Sequence, residues 1–208
     1  TLTGTELNSG TRSSAALTSA PTLVSGSIYT IAFNGTDAAG NNATEQTVTG
    51  ITYDQTAPAI TGTTVASNNA SIAVTFSEAV YNTSGGSGAL EASDFTLTLS
   101  GGTATLASAT PSSISSSSNT YTLALSLSGT PNGSETITVV PSSSTAIYDA
   151  AGNAASTSQS NNTVTLNDQT APTLSSVSIA SNNSTSTLAA VGDNVTLTFT
   201  ASETISTP

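Results

Sequence analysis

Apolar residues alternate with Thr or Ser in short runs along most of the chain: SIYTIAF (27–33), SIAVTFS (71–77), DFTLTLS (94–100), TYTLALSL (120–127), ETITVV (135–140), NTVTLN (162–167) and NVTLTFT (194–200). A period of two sends successive side chains to opposite faces, so each run reads as a strand with one apolar face inward and one hydroxylated face toward water. Gly, Asn, Asp and Pro fill the gaps, the residues that tight turns select. No stretch carries apolar residues at helical spacing. The pattern predicts an all-β protein of short antiparallel strands, with further strands at 59–66 and 103–109. The outward Thr residues are accounted for by the fit of β-branched side chains to a wet pleated surface, without an ice- or ligand-binding ladder.

Repetition organises these strands into modules. DQTAP stands at 54–58 and again at 168–172, each copy followed by ASNN, at 66–69 and 180–183. DAAGN stands at 37–41 and 149–153, each time shortly before the next DQTAP. Periodic motifs of this kind mark unit boundaries. Residues 54–167 then form one complete module of about seven strands, the size of an immunoglobulin-like sandwich. Residues 1–53 hold the later strands of another module, and residues 168–208 hold a linker and the first two strands of the next. The expected fold is all-β: tandem immunoglobulin-like antiparallel β-sandwiches, one complete and two complementary partial modules.

That complementarity has two explanations. Either the chain is one period of a longer covalent array, or separate subunits complete one another head to tail by donating strands. The covalent array is preferred, because a free subunit exposes half-cores and unpaired edges. Both make further copies of the chain its partners in an extended fibre. The expected interface comprises the inward phase of the last strand, Val195, Leu197 and Phe199, with the extremities Thr1, Leu2 and Pro208.

Charge and composition remove other functions. The 208 residues carry one basic side chain, Arg12, against twelve acidic ones, a net charge of −11. No basic patch exists to hold nucleic acid or an anionic membrane. Cys, His, Lys, Met and Trp are all absent, which excludes the familiar zinc sites, Ser-His-Asp and Cys-His nucleophiles, Schiff bases and Lys-to-Asn isopeptide crosslinks. A paired-carboxylate hydrolase stays formally open, but the acids are scattered and no enzyme is expected. No apolar stretch approaches the roughly 20 residues of a membrane span. Nine N-x-[ST] sequons, expected by chance in so Asn- and Thr-rich a chain, give only a weak indication of glycosylation.

Tracing the central module as alternating up and down strands brings several acids to one pole. Asp54 lies in the incoming linker, Glu78 follows the second strand, and Asp149 begins the DAAGN loop at the last upper crossing; Glu91 and Asp94 enter the same end. Without Lys or Arg these charges repel, and a divalent cation offsets the repulsion. Ca²⁺ suits such a site better than Mg²⁺, which keeps its waters, and loop carbonyls with Asn153 supply further oxygens. Asp168 and Glu203 form the matching pair in the last module, with Asp37 of the other half-module as third partner. The competing reading is that DAAGN is only a turn with Gly or Asn at positive φ and DQTAP only a linker stiffened by Pro. Tyr53 and Tyr148, before acids at strand ends, read as packing residues rather than carbohydrate platforms. SSISSSSN (112–119) and YNTSGGSGALEASD (81–94) are low-complexity stretches, the second read as a flexible loop.

The pairing of DAAGN with DQTAP, and the glutamates of FSEAV and ASETI, resemble the tandem bacterial immunoglobulin-like repeats of large surface adhesins and extracellular fibrous proteins. The resemblance covers essentially the whole chain. It implies a structural role as a secreted or cell-surface stalk, with calcium at the joints and ligand binding left to other domains. An alternative is an adhesin module that itself binds a carbohydrate or a host protein, which would need a clustered exposed aromatic patch.

Overall fold

The computed structural model describes residues 22–33 and 35–206. Thr1, Leu2 and Pro208 of the expected interface therefore lie outside the described residues. The architecture is all-β with antiparallel sheets, and among the described residues the only helical element is a single 3₁₀ turn, Ala92–Asp94.

The first elements among the described residues form a hairpin, β1 (Ser27–Phe33) and β2 (Gln46–Tyr53). The central unit follows. Its first sheet has four strands, β3 (Ile60–Val65), β4 (Ser71–Phe76), β8 (Thr120–Ala124) and β7 (Ile114–Ser117), in that spatial order. Its second sheet has three, β11 (Thr163–Thr165), β10 (Thr136–Pro141) and β5 (Phe95–Ser100). A short pair, β6 (Thr105–Leu106) with β9 (Leu127–Ser128), adjoins them, and a hairpin of β12 (Leu174–Ser181) and β13 (Val195–Ala201) comes last among the described residues.

The two larger sheets enclose one core. Ile72, Val74 and Phe76 of β4 and Leu123 of β8 meet Phe95 and Leu97 of β5 and Ile137 and Val139 of β10, all buried. Strict alternation of buried and half-buried residues along β4, β8 and β10 is the period-two pattern realised as burial. Phe76, Phe95 and Tyr121 pack as a trio with ring centroids 5.9 to 6.3 Å apart, Phe76 and Tyr121 edge to face. At the edge, the Thr63 hydroxyl donates to the Thr163 carbonyl at 3.0 Å, bringing β3 to β11. Asn69, buried in the ASNN turn at φ 57°, donates its amide to the Asn167 carbonyl at 2.7 Å and accepts the Asn167 N–H at 2.9 Å.

Three expectations change. The run at 120–127 is not one strand: β8 stops at Ala124, and Leu127–Ser128 pairs instead with β6. The strand expected at 103–109 shrinks to Thr105–Leu106. The low-complexity SSISSSSN contains a strand, β7, because Ile114 packs against the core and Ser115 to Ser117 complete a ladder with β8 where an edge position asks little of the side chains.

The last hairpin repeats β3–β4 in register. Ile60 pairs with Phe76 and Val65 with Ile72; Leu174 pairs with Ala201 and Ile179 with Leu197. Both hairpins carry an irregularity near the start, after the first pair at Ile60/Gly62 and after the second at Ser175/Ser178. Burial separates them. Ile72 and Val74 are 0% exposed, whereas Ile179 is 72% and Leu197 61% exposed.

Candidate metal centre

The first joint is built by short-range hydrogen bonds that the DQTAP sequence encodes. The Asp54 Oδ1 accepts the Thr56 N–H at 2.9 Å, an Asx turn that sets the direction of the linker, and the Ser25 hydroxyl at 3.2 Å. Beyond the linker, Ala59 and Ser77 clasp each other: the Ala59 N–H donates to the Ser77 hydroxyl at 3.1 Å, and the Ser77 N–H donates to the Ala59 carbonyl at 2.8 Å. Glu78 leaves β4 at that clasp and is held beside the linker.

Asp149 arrives from the other sheet. Its loop closes through Gly152 at φ 94°, a conformation that costs a side-chain-bearing residue and suits glycine. The buried Asp149 carboxylate accepts the Asn153 N–H at 2.8 Å and the Asn153 amide at 2.7 Å, and the same amide donates to the Asp54 carbonyl at 3.2 Å. One oxygen each of Asp54, Glu78 and Asp149 lies within 4.8 Å of the other two. Among the described residues this is the one cluster of its kind.

Burial, then the charges of Asp149 and Asp54, push the Glu78 carboxyl above its usual range. Arg12, the sole basic side chain, lies outside the described residues. The donor set is all oxygen, which suits a hard cation. Two ligands on opposite sides of Ca²⁺ stand about 4.8 Å apart at ordinary Ca–O distances, so the spacing can accommodate the ion. Asp54 and Asp149 retain acceptor capacity, since each carboxylate oxygen has two lone pairs. The Asn153 NH₂ donates to the Asp149 carboxylate and to the Asp54 backbone carbonyl, so it orients Asp149 and ties its loop to the linker.

Glu91 and Asp94 stand outside the cluster of three. The Asp94 carboxylate accepts the Glu91 N–H at 2.7 Å in a capping box around the 3₁₀ turn, which commits it locally. Burial raises the Asp94 carboxyl, its bond to the Glu91 backbone lowers it, and the Glu91 charge raises it; the net direction is up.

The second joint repeats the first. The Asp168 Oδ1 accepts the Thr170 N–H at 2.8 Å, Thr173 and Ser202 form the same two-way clasp at 2.9 Å in each direction, and Glu203 follows. Partial burial, then the charge of Asp168 and a hydrogen bond with it, raise the Glu203 carboxyl, so these two acids are neighbours. The third expected ligand, Asp37, does not meet them in this chain. Its carboxylate accepts the Asn41 amide and N–H, each at 2.8 Å, and the Ala39 N–H at 2.9 Å. These bonds, the Asn41 amide foremost, hold its carboxyl below the usual range. Gly40 closes that loop at φ 90°. Both DAAGN copies are thus tight turns with a glycine at positive φ, and the same turn presents an aspartate whose orientation is locked.

Of the other expected interface residues, Val195, Leu197 and Phe199 all lie exposed on β13. Tyr53 and Tyr148 are both half-buried.

One important acid escapes a sequence reading. Glu135, fully buried, accepts the Thr103 and Ala104 N–H groups on Oε1 at 2.8 and 2.9 Å and the Asn132 N–H on Oε2 at 3.0 Å. Burial raises its carboxyl, but the N–H groups of Ala104, Thr103, Glu135 itself and Asn132 outweigh burial and lower it to about 2. A glutamate opening an alternating run, just after Asn-Gly, was the available signal, and it is indistinguishable from an exposed strand-end residue. Comparison of the chain with known protein families, with curated proteins and with solved structures finds no match.

Proposed function

We propose that the chain is a segment of an extracellular stalk or fibre, secreted or carried on a cell surface, in which immunoglobulin-like modules follow one another and Ca²⁺ stiffens their joints. The observation that carries this reading is the recurrence of one joint: Asp-x-Thr turn, Ser clasp and following Glu stand in the same hydrogen-bonded arrangement at Asp54 and at Asp168. A function located in a single cleft has no need to repeat its linker, whereas a spacer does.

The strand order supports the modular part. A four-stranded sheet β3-β4-β8-β7 opposite a three-stranded sheet β11-β10-β5 corresponds to the ABED and GFC sheets of a constant-type immunoglobulin domain when the strands are lettered in chain order, with the short β6 and β9 set aside. Ca²⁺ held by Asp54 of the linker and by Glu78 and Asp149 of the module resists rotation of one about the other. The aromatics of the central unit argue for a scaffold rather than for an adhesive tip: Phe76, Phe95 and Tyr121 pack on one another in the core.

The test is thermal unfolding and small-angle scattering of the chain in Ca²⁺ and in EDTA. The expected result is a higher melting temperature and a longer maximum dimension with Ca²⁺; identical curves in both conditions overturn the metal-stiffened joint.

A further inference from the structure

We propose that the apolar face of the β12–β13 hairpin is a docking surface for the β1–β2 hairpin of a second copy of this chain, packed as β10–β11 packs on β3–β4 within the central unit. The proposal deepens the modular reading above and rests on it. Three observations identify the occupant.

The first is the face itself. Leu174, Val177 and Ile179 of β12 and Val195, Leu197 and Phe199 of β13 are between 45% and 72% exposed. Contiguous apolar area of this kind marks an interaction site. In the hairpin with the same register, β3–β4, the residues matching Leu174, Leu197 and Phe199, which are Ile60, Ile72 and Val74, are buried in a core shared with the sheet that includes β10 and β11. The chain thus displays both the bare surface and the surface that covers its twin.

The second is the complement. β1 and β2 flank one DAAGN loop and run into one DQTAP; β10 and β11 flank the other DAAGN loop and run into the other DQTAP. The β1–β2 hairpin therefore occupies the place of β10–β11 in the repeat, and it too has a bare apolar face, with Ile31, Val48 and Ile51 between 46% and 61% exposed. Two hairpins that partner each other in the central unit are both present without partners at opposite ends of the described chain.

The third is the joint. Asp149, from the loop between β10 and β11, joins Asp54 and Glu78. Asp37 holds the same position in the loop between β1 and β2, with the same Asn bonds. Docking brings it to Asp168 and Glu203, which otherwise lack a third carboxylate. The contact is heterologous, so copies add in line without closing. A two-strand face about 25 Å long and about 10 Å wide is below the roughly 1,200 Å² of a stable complex, which predicts weak association that shows at high protein concentration.

The chain contains no cysteine, so placed thiols report the contact directly. Thr49 and Val177 stand where Thr163 and Thr63 stand relative to the next and preceding DQTAP aspartates, and in the central unit those two residues share a hydrogen bond of 3.0 Å. Thr49→Cys and Val177→Cys chains, mixed at high concentration with a short thiol crosslinker, are expected to give a 49–177 dimer. A chain carrying both cysteines is expected to give a ladder. Thr198→Cys, exposed on the opposite face of β13, is the control and yields no such product. Adding Leu197→Ser to the Val177→Cys chain should cut the 49–177 product about tenfold or more while the melting temperature of the central unit stays unchanged.

Absence of the product, a dominant 177–177 dimer, a 49–177 link within one chain, or survival of the product in the Leu197→Ser chain each overturns the proposal. Because chelation reads the joint at Asp54, Glu78 and Asp149, a calcium response without crosslinking leaves the stalk reading standing, and crosslinking without a calcium response does the reverse for the metal.

Discussion

The hairpins β3–β4 and β12–β13 share pairing register, an irregularity near the start and the clasp that follows, yet one is core and the other surface. Ile72 is 0% exposed and its register equivalent Leu197 is 61% exposed. Local sequence thus encodes the hairpin and which face is apolar. Whether that face is worth anything to stability depends on a second sheet, because the hydrophobic effect rewards area removed from water and not the presence of an apolar side chain.

Paired substitutions break this comparison most sharply. Ile72→Ala should cost the central unit about 3–4 kcal/mol through lost burial and a cavity. The same change at Leu197, measured in dilute solution where copies do not meet, should cost below about 0.5 kcal/mol. Chemical denaturation of the two variants, followed by the tyrosines of the central unit, reads both. Equal losses would mean that the β12–β13 face is already covered within one chain.

Glu135 sharpens the contrast from the polar side. Replacing it with Ala removes a buried carboxylate from three backbone donors and should cost about 2–4 kcal/mol. Its pH dependence has a definite sign. The folded carboxyl is lowered to about 2 from an ordinary 4.5, so its contribution is complete above about pH 4.5 and is lost as pH falls toward 2. Glu135→Ala should flatten stability against pH in that window, and an unchanged acid limb in urea titrations at several pH values would refute the assignment. By contrast, Asp193 in the last hairpin is held below the usual range by the Asn183 amide and then the Ala190 N–H, on an open surface.

The smallest expected effect is at Glu78. In EDTA, Glu78→Gln removes repulsion among three acids and should be neutral or stabilising by at most about 0.5 kcal/mol, since the site is partly exposed. In Ca²⁺ it removes a ligand and should lower the melting temperature. The change of sign between the two conditions is the test, and a loss of the same size in both would mean that Glu78 acts only through packing.

Much of the fold is legible without coordinates. The runs beginning at Ser27, Ser71 and Asn194 become strands almost residue for residue, because alternation is a strong local signal in so short a repeat. The meeting of Asp54, Glu78 and Asp149 follows from counting strands up and down, which needs only that neighbours run antiparallel. Asp94 shows the limit of that counting. It reaches the right end of the sandwich, but a bond to the Glu91 backbone takes it out of the cluster, and such capping depends on side-chain geometry that residue type does not report.

Serine-rich β7 and the split of 120–127 lie beyond the sequence for a related reason. Ser115 to Ser117 have little preference of their own and become a strand because β8 offers a free edge. Asn69 and Asn183 stand at the same place in the two ASNN turns, yet Asn69 ties β11 to its turn and Asn183 bonds Asp193 within its own hairpin. The sequence alone determined the period-two faces, the turns at DAAGN and DQTAP, the acidic charge and the absence of His, Cys and Lys chemistry. Only the tertiary structure decided which faces are covered, that Glu135 is buried and satisfied, and which three acids converge. Alternation and turn preference act between residues a few positions apart, whereas burial and convergence depend on segments distant in the chain, and a residue's neighbours in space are set by the fold as a whole.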